Sequence, residues 1–282
     1  MTACFKILAL GAGLALLLPG APQAADGTRL IDQSRALAGG LTPGDAAGFP
    51  VTISQAGSYR LSGNLTVPDA NTTAIEITAE NVSLDLNGFS ILGPTVCSGI
   101  PISCAPLGVG VGVLSTQSYT GVRNGIVRGM GSDAVRLLRL PGGGASQGHV
   151  VSDLQVAGNG GDGISMSGGI ARQSVVRRNG GRGVVMDSGL ITGNQISQNG
   201  STGARISGTG MVSANTVSDN DGCGISMNSG LASGNNLLQN NGGLCLTTAG
   251  YLGNTLIVNA VGGGFNLGQN LCATLGGMAL CP

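Results

Sequence analysis

From Asn159 onward, apolar and polar positions recur with a period of about twenty residues. Asn159, Asn179, Asn199, Asn220 and Asn240 lie 20, 20, 21 and 20 residues apart, and Asn259 follows after 19. Gly163, Gly183, Gly203 and Gly224 each follow one of these asparagines by four residues and open an alternating apolar stretch. The first apolar position of that stretch reads Ile164, Val184, Ala204, Ile225, and the second reads Met166, Met186, Ile206, Met227. Another glycine recurs at Gly169, Gly189, Gly210, Gly230 and Gly250, each followed by an apolar residue: Ile170, Leu190, Met211, Leu231 and Tyr251. A second asparagine column closes the unit at Asn194, Asn215, Asn235 and Asn254. Between the two columns sits a single apolar position, Val176, Ile196, Val217, Leu237 and Leu256.

Three short stretches of period two within twenty residues predict strands, because glycine at this density costs a helix about 1 kcal/mol per residue. A repeat of this length is read before anything else as a stacked architecture. Each unit predicts one turn of a coil in which every strand pairs in parallel with its equivalent one turn later, about 4.8 Å away. The fold class expected is therefore all-β, a single-stranded right-handed parallel β-helix. A tube this narrow admits small and unbranched side chains, and the methionine column is expected to be core packing. Asparagine is expected at the turns because it tolerates the left-handed region. Stacked at strand spacing, each amide can also donate to the next carbonyl. Asn159, Asn179, Asn199, Asn220 and Asn240 are thus expected to form a structural ladder.

The unit Asn-x-x-x-Gly-[Ile/Val]-x-[Met/Ile] with its second Asn resembles the right-handed parallel β-helix repeat of the pectin-lyase-like superfamily. Residues Gly57–Thr66 and Val82–Ile91 are similar to the opening coils of exported bacterial members, and Val122–Gly129 continues the pattern less regularly. The resemblance covers roughly residues 50–270, which at 20–22 residues per turn implies about ten coils. A leader over 1–25, an N-terminal cap over 26–50, the β-helix over 51–270 and a disulfide-pinned tail over 271–282 are the expected divisions. Ile31–Ala38 is expected to form a short helix over the open edge of the first coil. Pro141–His149 reads as a glycine-rich loop between coils.

Composition narrows the reading. Of 282 residues 53 are glycine, only 9% are charged and 2% aromatic, so a core built on large rings is excluded. Collagen needs one glycine in three, and disorder needs more charge and less Val, Ile and Leu. A formal net charge of zero gives no electrostatic reason for nucleic acid as a partner. Lys6, the apolar stretch Ile7–Leu18 and the small residues Pro19–Ala25 read as a secretory leader with cleavage after Ala24 or Ala25. That apolar stretch is too short to span a bilayer about 30 Å thick, and no later segment predicts a span. The expected location is periplasmic or secreted.

Cys4 departs with such a leader, and Cys97, Cys104, Cys223, Cys245, Cys272 and Cys281 remain. An even count in an exported chain predicts disulfides. Proximity favours Cys97–Cys104 and Cys272–Cys281, and Cys223–Cys245 follows by elimination. Zinc is the alternative reading, but the sequence has no CxxC pair and a single histidine. No cofactor is expected.

The resemblance implies polysaccharide lyases and glycoside hydrolases as relatives, and those chemistries define what to look for. A hydrolase brings carboxylates together about 5–9 Å apart across one bond. Here the acids are scattered singly, the closest grouping being Asp219 with Asp221. A calcium-dependent lyase gathers carboxylates for an ion with six to eight oxygen ligands and adds a basic residue. Arg172, Arg177, Arg178, Arg182 and Arg205 fall on consecutive coils, with Asp162 one rung from Arg182 and Asp187 diagonal to Arg205; cross-rung charge pairs are expected. His149 has no Ser, Cys or Asp constellation beside it. The leading expectation is a structural or surface-interaction protein with extracellular or envelope polysaccharide as candidate partner and no catalytic or metal residue. The alternative is a carbohydrate-active enzyme using Arg177 with Asp187 or Asp221. A passive module of a larger surface assembly is a third reading.

Overall fold

The structure is a computed structural model that describes residues 27–138, 147–274 and 277–281. The expected leader at 1–25 and residues 141–146 of the glycine-rich loop lie outside the described residues. Twenty-six strands form one continuous sheet wound into a right-handed coil, parallel throughout except at its last pair. Three faces result. The first stacks ten rungs from Val51–Ile53 to Val261–Gly262. The second runs from Arg29–Ile31 to Phe265–Asn266, and the third from Leu65–Thr66 to Leu271–Thr274. About ten coils is what the period predicts.

The inward columns are those that the alternation marks. Ile164, Val184, Ala204 and Ile225 are fully buried, as are Met166, Met186, Ile206 and Met227 to within 1%. The third face buries Val176, Ile196, Val217, Leu237 and Leu256. On the second face the buried residues are Ala171, Ile191, Val212 and Ala232, one position beyond the apolar residue that follows each recurring glycine. Tyr251 departs from the sequence alignment: it pairs with Ala232 and points inward, while Gly250 lies opposite Leu231. The single 21-residue period between Asn199 and Asn220 comes from a register shift between Ile206 and Thr209, which leaves both asparagine columns aligned.

Both asparagine columns are hydrogen-bonded ladders. Asn159 Nδ2 donates to Asn179 Oδ1 at 2.9 Å, and the chain of amides continues through Asn199 and Asn220 to Asn240. It ends on Asn259 Oδ1 at 3.2 Å. The second ladder links Asn194, Asn215, Asn235 and Asn254 and extends to Asn270, a member the sequence period does not reveal because the last coil is only 16 residues long. The reason expected for asparagine is half right. The left-handed backbone belongs to the residue before each ladder asparagine: Gly158, Arg178, Gln198, Asp219, Gln239 and Val258, all with φ between 50° and 66°. Asparagine itself is selected by its amide, whose Oδ1 also accepts the backbone N–H of the preceding ladder residue. A buried backbone donor left without such a partner would cost about 1–3 kcal/mol.

The N-terminal edge is closed by side chains. The helix is Gln33–Ala38, capped by Asp32 accepting from Arg35 N; Ile31, expected in the helix, belongs instead to the strand Arg29–Ile31 and pairs with Leu61. Gln33 accepts from Thr66 N and donates to Thr66 O, so a side-chain amide stands in for the missing strand beside Leu65–Thr66. Asp45 does the same for Thr52 N and Leu41 N at 2.7 and 2.8 Å.

The three expected disulfides form: Cys97–Cys104 and Cys272–Cys281, favoured by proximity, and Cys223–Cys245, reached by elimination. Cys223 and Cys245 lie on adjacent rungs, since Ser226 faces Cys245 and Cys223 faces Gly242. Three disulfides place the chain in an oxidising, non-cytoplasmic compartment. Among the described residues no helix is long and apolar enough to cross a membrane.

Candidate binding groove

The segment between the strands Ser90–Leu92 and Val113–Ser115 leaves the coil as an arm. Its core is an antiparallel hairpin, Val96–Ser98 with Ser103–Ala105, stapled by Cys97–Cys104. At its root, Thr95 N donates to Gly129 O at 2.8 Å and Thr95 Oγ1 to Pro106 O at 2.7 Å. The arm then runs along the stack rather than away from it. At its far end Ile102 N donates to Asp221 Oδ2 at 3.2 Å. Four rungs separate the coils of Gly129 and Asp219, about 19 Å at strand spacing, a distance that seven residues of extended chain cover.

A column of small residues makes room for it. Gly131, Gly160, Gly180 and Gly200 stack on successive turns, each N–H from Gly160 onward donating one coil back. A Cβ at Gly160 would come within 2.8 Å of Leu107, and one at Gly180 within 3.0 Å of Cys104 Sγ, besides striking backbone oxygens of the coil below. The same column becomes polar at Asp221 and Asn241, where the hairpin ends. The change from glycine to Asp221 therefore coincides with the arm's tip.

Between the arm and the third face lies a trough. Its first part, about 520 Å³, is lined by Pro94–Cys97, Arg128, Ala157, Arg177 and Arg178. A shallower recess of about 300 Å³ shares Arg128, Ala157 and Arg177. Its second part, also about 520 Å³, is lined by Ile100–Ile102, Gln198, Asp219, Asp221, Gln239 and Asn241. Between the two parts, Arg178 Nε on the wall of the first donates to Gln198 Oε1 on the wall of the second at 3.0 Å. One end is therefore cationic, the middle is amide-lined, and the far end carries two carboxylates. Arg128 and Arg177 are separated only by Ala157 in the register of the third face, and neither side chain makes an ion pair or hydrogen bond with another described residue.

The other expected site residues disperse. Arg182 pairs with Asp162 at 2.8 Å, as expected. The register sets Arg205 opposite Val185 and so diagonal to Asp187, as expected, but the two form no ion pair: Asp187 accepts from Ser207 Oγ at 3.0 Å instead. Arg172 lies on the second face beside Thr192. The alternative trio is thus not assembled, because Arg177 and Asp221 occupy opposite ends of the trough and Asp187 lies on the strand 184–192 that spans the first and second faces. Among the described residues no three His, Cys, Asp or Glu side chains group to hold a metal ion.

His149 is not a loop residue. It opens the strand His149–Ala157, is fully buried, and its Nδ1 accepts from Thr120 N at 3.4 Å. Burial pushes its pKa below the usual imidazole value, which keeps the ring neutral in the coil interior. Sequence reading placed Arg177 and Asp221 individually but missed Arg128 and the arm. Arg128 sits in the irregular stretch Val122–Gly129, where the repeat was hardest to align. Comparisons with protein-family models, curated proteins and solved structures return no match.

Proposed function

We propose that the protein is an exported β-helical interaction module that holds an acidic polysaccharide at the cationic part of the arm trough without turning it over. The observation that carries this reading is the Arg128 and Arg177 pair, whose side chains bond no other described residue, with Arg178 beside it in the first part of the trough. Guanidinium groups bind carboxylates through paired charge-assisted hydrogen bonds, and Gln198, Gln239 and Asn241 offer donors and acceptors to sugar hydroxyls. The dispersal of Arg177, Asp187 and Asp221 supports holding rather than cleaving. The repeat's resemblance to the pectin-lyase-like superfamily and the leader-like residues 1–25 belong to the same proposal.

The test is isothermal calorimetry with polygalacturonate, alginate and neutral dextran, on the native chain and on Arg128→Ala/Arg177→Ala. Salt-sensitive binding of the acidic polymers, lost in the double variant, is the expected result. Product formation from any of them, with calcium added, would instead favour the carbohydrate-active enzyme.

A further inference from the structure

The two ends of the coil are finished differently. At the N-terminal end Gln33 and Asp45 satisfy the outermost backbone groups. At the C-terminal end the last rung, Leu271–Thr274, is paired antiparallel with Gly277–Leu280, and that final strand has no further strand partner among the described residues. Its side chains are all exposed, Met278 by 61% and Leu280 by 73%.

The register shows what surrounds this edge. Leu280 faces Leu271, and Met278 faces Ala273, which faces Ile257, which faces Leu238. Leu237, Leu256 and Cys272 alternate with these residues and point inward. Leu238, Ile257, Leu271, Met278 and Leu280 therefore form one outward apolar patch on the third face, running up to an open strand. Farther back the same outward columns read Ser197 and Ser218, Gln195 and Thr216.

Charge makes the end more unusual. From Gly222 to Pro282 the chain contains no Asp, Glu, Lys, Arg or His. Exposed edges in natural sheets are ordinarily protected by charged side chains, proline or a covering segment, and this one has none of the first. A charged partner would have to desolvate its own groups against a surface offering no counter-charge. A second copy presents the same uncharged surface and the same unpaired strand. An antiparallel strand is also self-complementary about a two-fold axis, so pairing Gly277–Leu280 with itself closes at two copies.

We infer that two copies of this chain associate tail to tail, their Gly277–Leu280 strands pairing antiparallel so that their third-face patches adjoin side by side across the two-fold axis. This inference does not rest on the proposed function of the arm trough, whose far part, lined by Gln239 and Val258, adjoins Leu238 and Ile257 of the patch.

The test is sedimentation equilibrium with light scattering over a concentration series to the solubility limit. The native chain is expected to reach twice the monomer mass, and Met278→Lys/Leu280→Lys to stay at the monomer mass at every concentration. Both positions are exposed, and an unchanged far-UV circular dichroism spectrum checks that the variant folds. Leu30→Lys, at the opposite end, is expected to keep the doubled mass. A native chain that remains monomeric, or an oligomer that persists in the double variant, overturns the proposal. So does a monomer that floats with neutral phosphatidylcholine vesicles, which would assign the patch to a lipid surface.

Discussion

The backbone N–H of Ile102 donates to the carboxylate of Asp221 across 119 positions of sequence. The bond joins an excursion from an early coil to a turn four rungs later, so it fixes the arm along the stack and creates the trough beside it. Asp221→Ala removes the acceptor. Because this contact is peripheral to the stack, global stability is expected to fall by no more than about 1 kcal/mol, while limited proteolysis cuts at 99–103 much faster than in the native chain. Equal cleavage rates would show that the arm holds its place without Asp221.

Asn199 occupies the middle of the first ladder. Its Oδ1 accepts from both Asn179 N and Asn179 Nδ2, and its Nδ2 donates to Asn220 Oδ1 and Val176 O. Asn199→Ala strands several buried polar groups together, at about 1–3 kcal/mol each. Urea denaturation is expected to show a loss of about 3 kcal/mol or more. A loss under about 1 kcal/mol would mean that water or neighbouring amides replace the rung.

Val258 holds a left-handed backbone with φ 53°, a conformation that disfavours β-branched residues and costs of order 1–3 kcal/mol at non-glycine positions. The equivalent position one or more coils earlier is Gln239, Asp219 or Gly158. Val258→Asn is expected to raise the unfolding free energy by about 1 kcal/mol. A thermal or urea midpoint that falls instead would count against the strain.

His149 gives the stability a pH dependence with a definite sign. Its folded-state pKa lies below the ordinary imidazole value because burial disfavours the charged ring. The unfolded chain therefore takes up a proton first as pH falls below about 6.5. The contribution is fully present above that value and is lost as pH falls through the folded-state pKa. Unfolding free energy measured from pH 7 to 5 is expected to decline, and the decline to shrink in His149→Gln. An identical slope in the variant would remove His149 as its cause.

Arg128→Ala and Arg177→Ala are each expected to weaken binding of polygalacturonate by about tenfold at low salt, the effect of losing one charge-assisted contact worth about 1.5 kcal/mol. Both differences should shrink as salt rises, since exposed charges are screened within about 10 Å at 0.1 M. Calorimetry at two ionic strengths measures this.

The recurrence of asparagine, glycine and small apolar residues determined the coil by itself. A twenty-residue period with three alternating stretches permits little else, and identical residues one period apart must stack. That is why the ladders, the inward methionines and the Asp162–Arg182 pair were legible position by position. Departures from the period were not. The helix start and the inward turn of Tyr251 each depend on a shift of one or two residues, and in a strand one residue reverses the face a side chain points to; Asp187 is diagonal to Arg205 as expected, but its carboxylate accepts from Ser207 instead. The arm was invisible for a different reason. Residues 94–107 carry no repeat, and what they touch is set by Gly160, Gly180 and Asp221, distant in sequence. Local periodicity encodes which residues stack; only the folded coil, by bringing non-repeating segments against that stack, decides where a trough or an exposed edge appears.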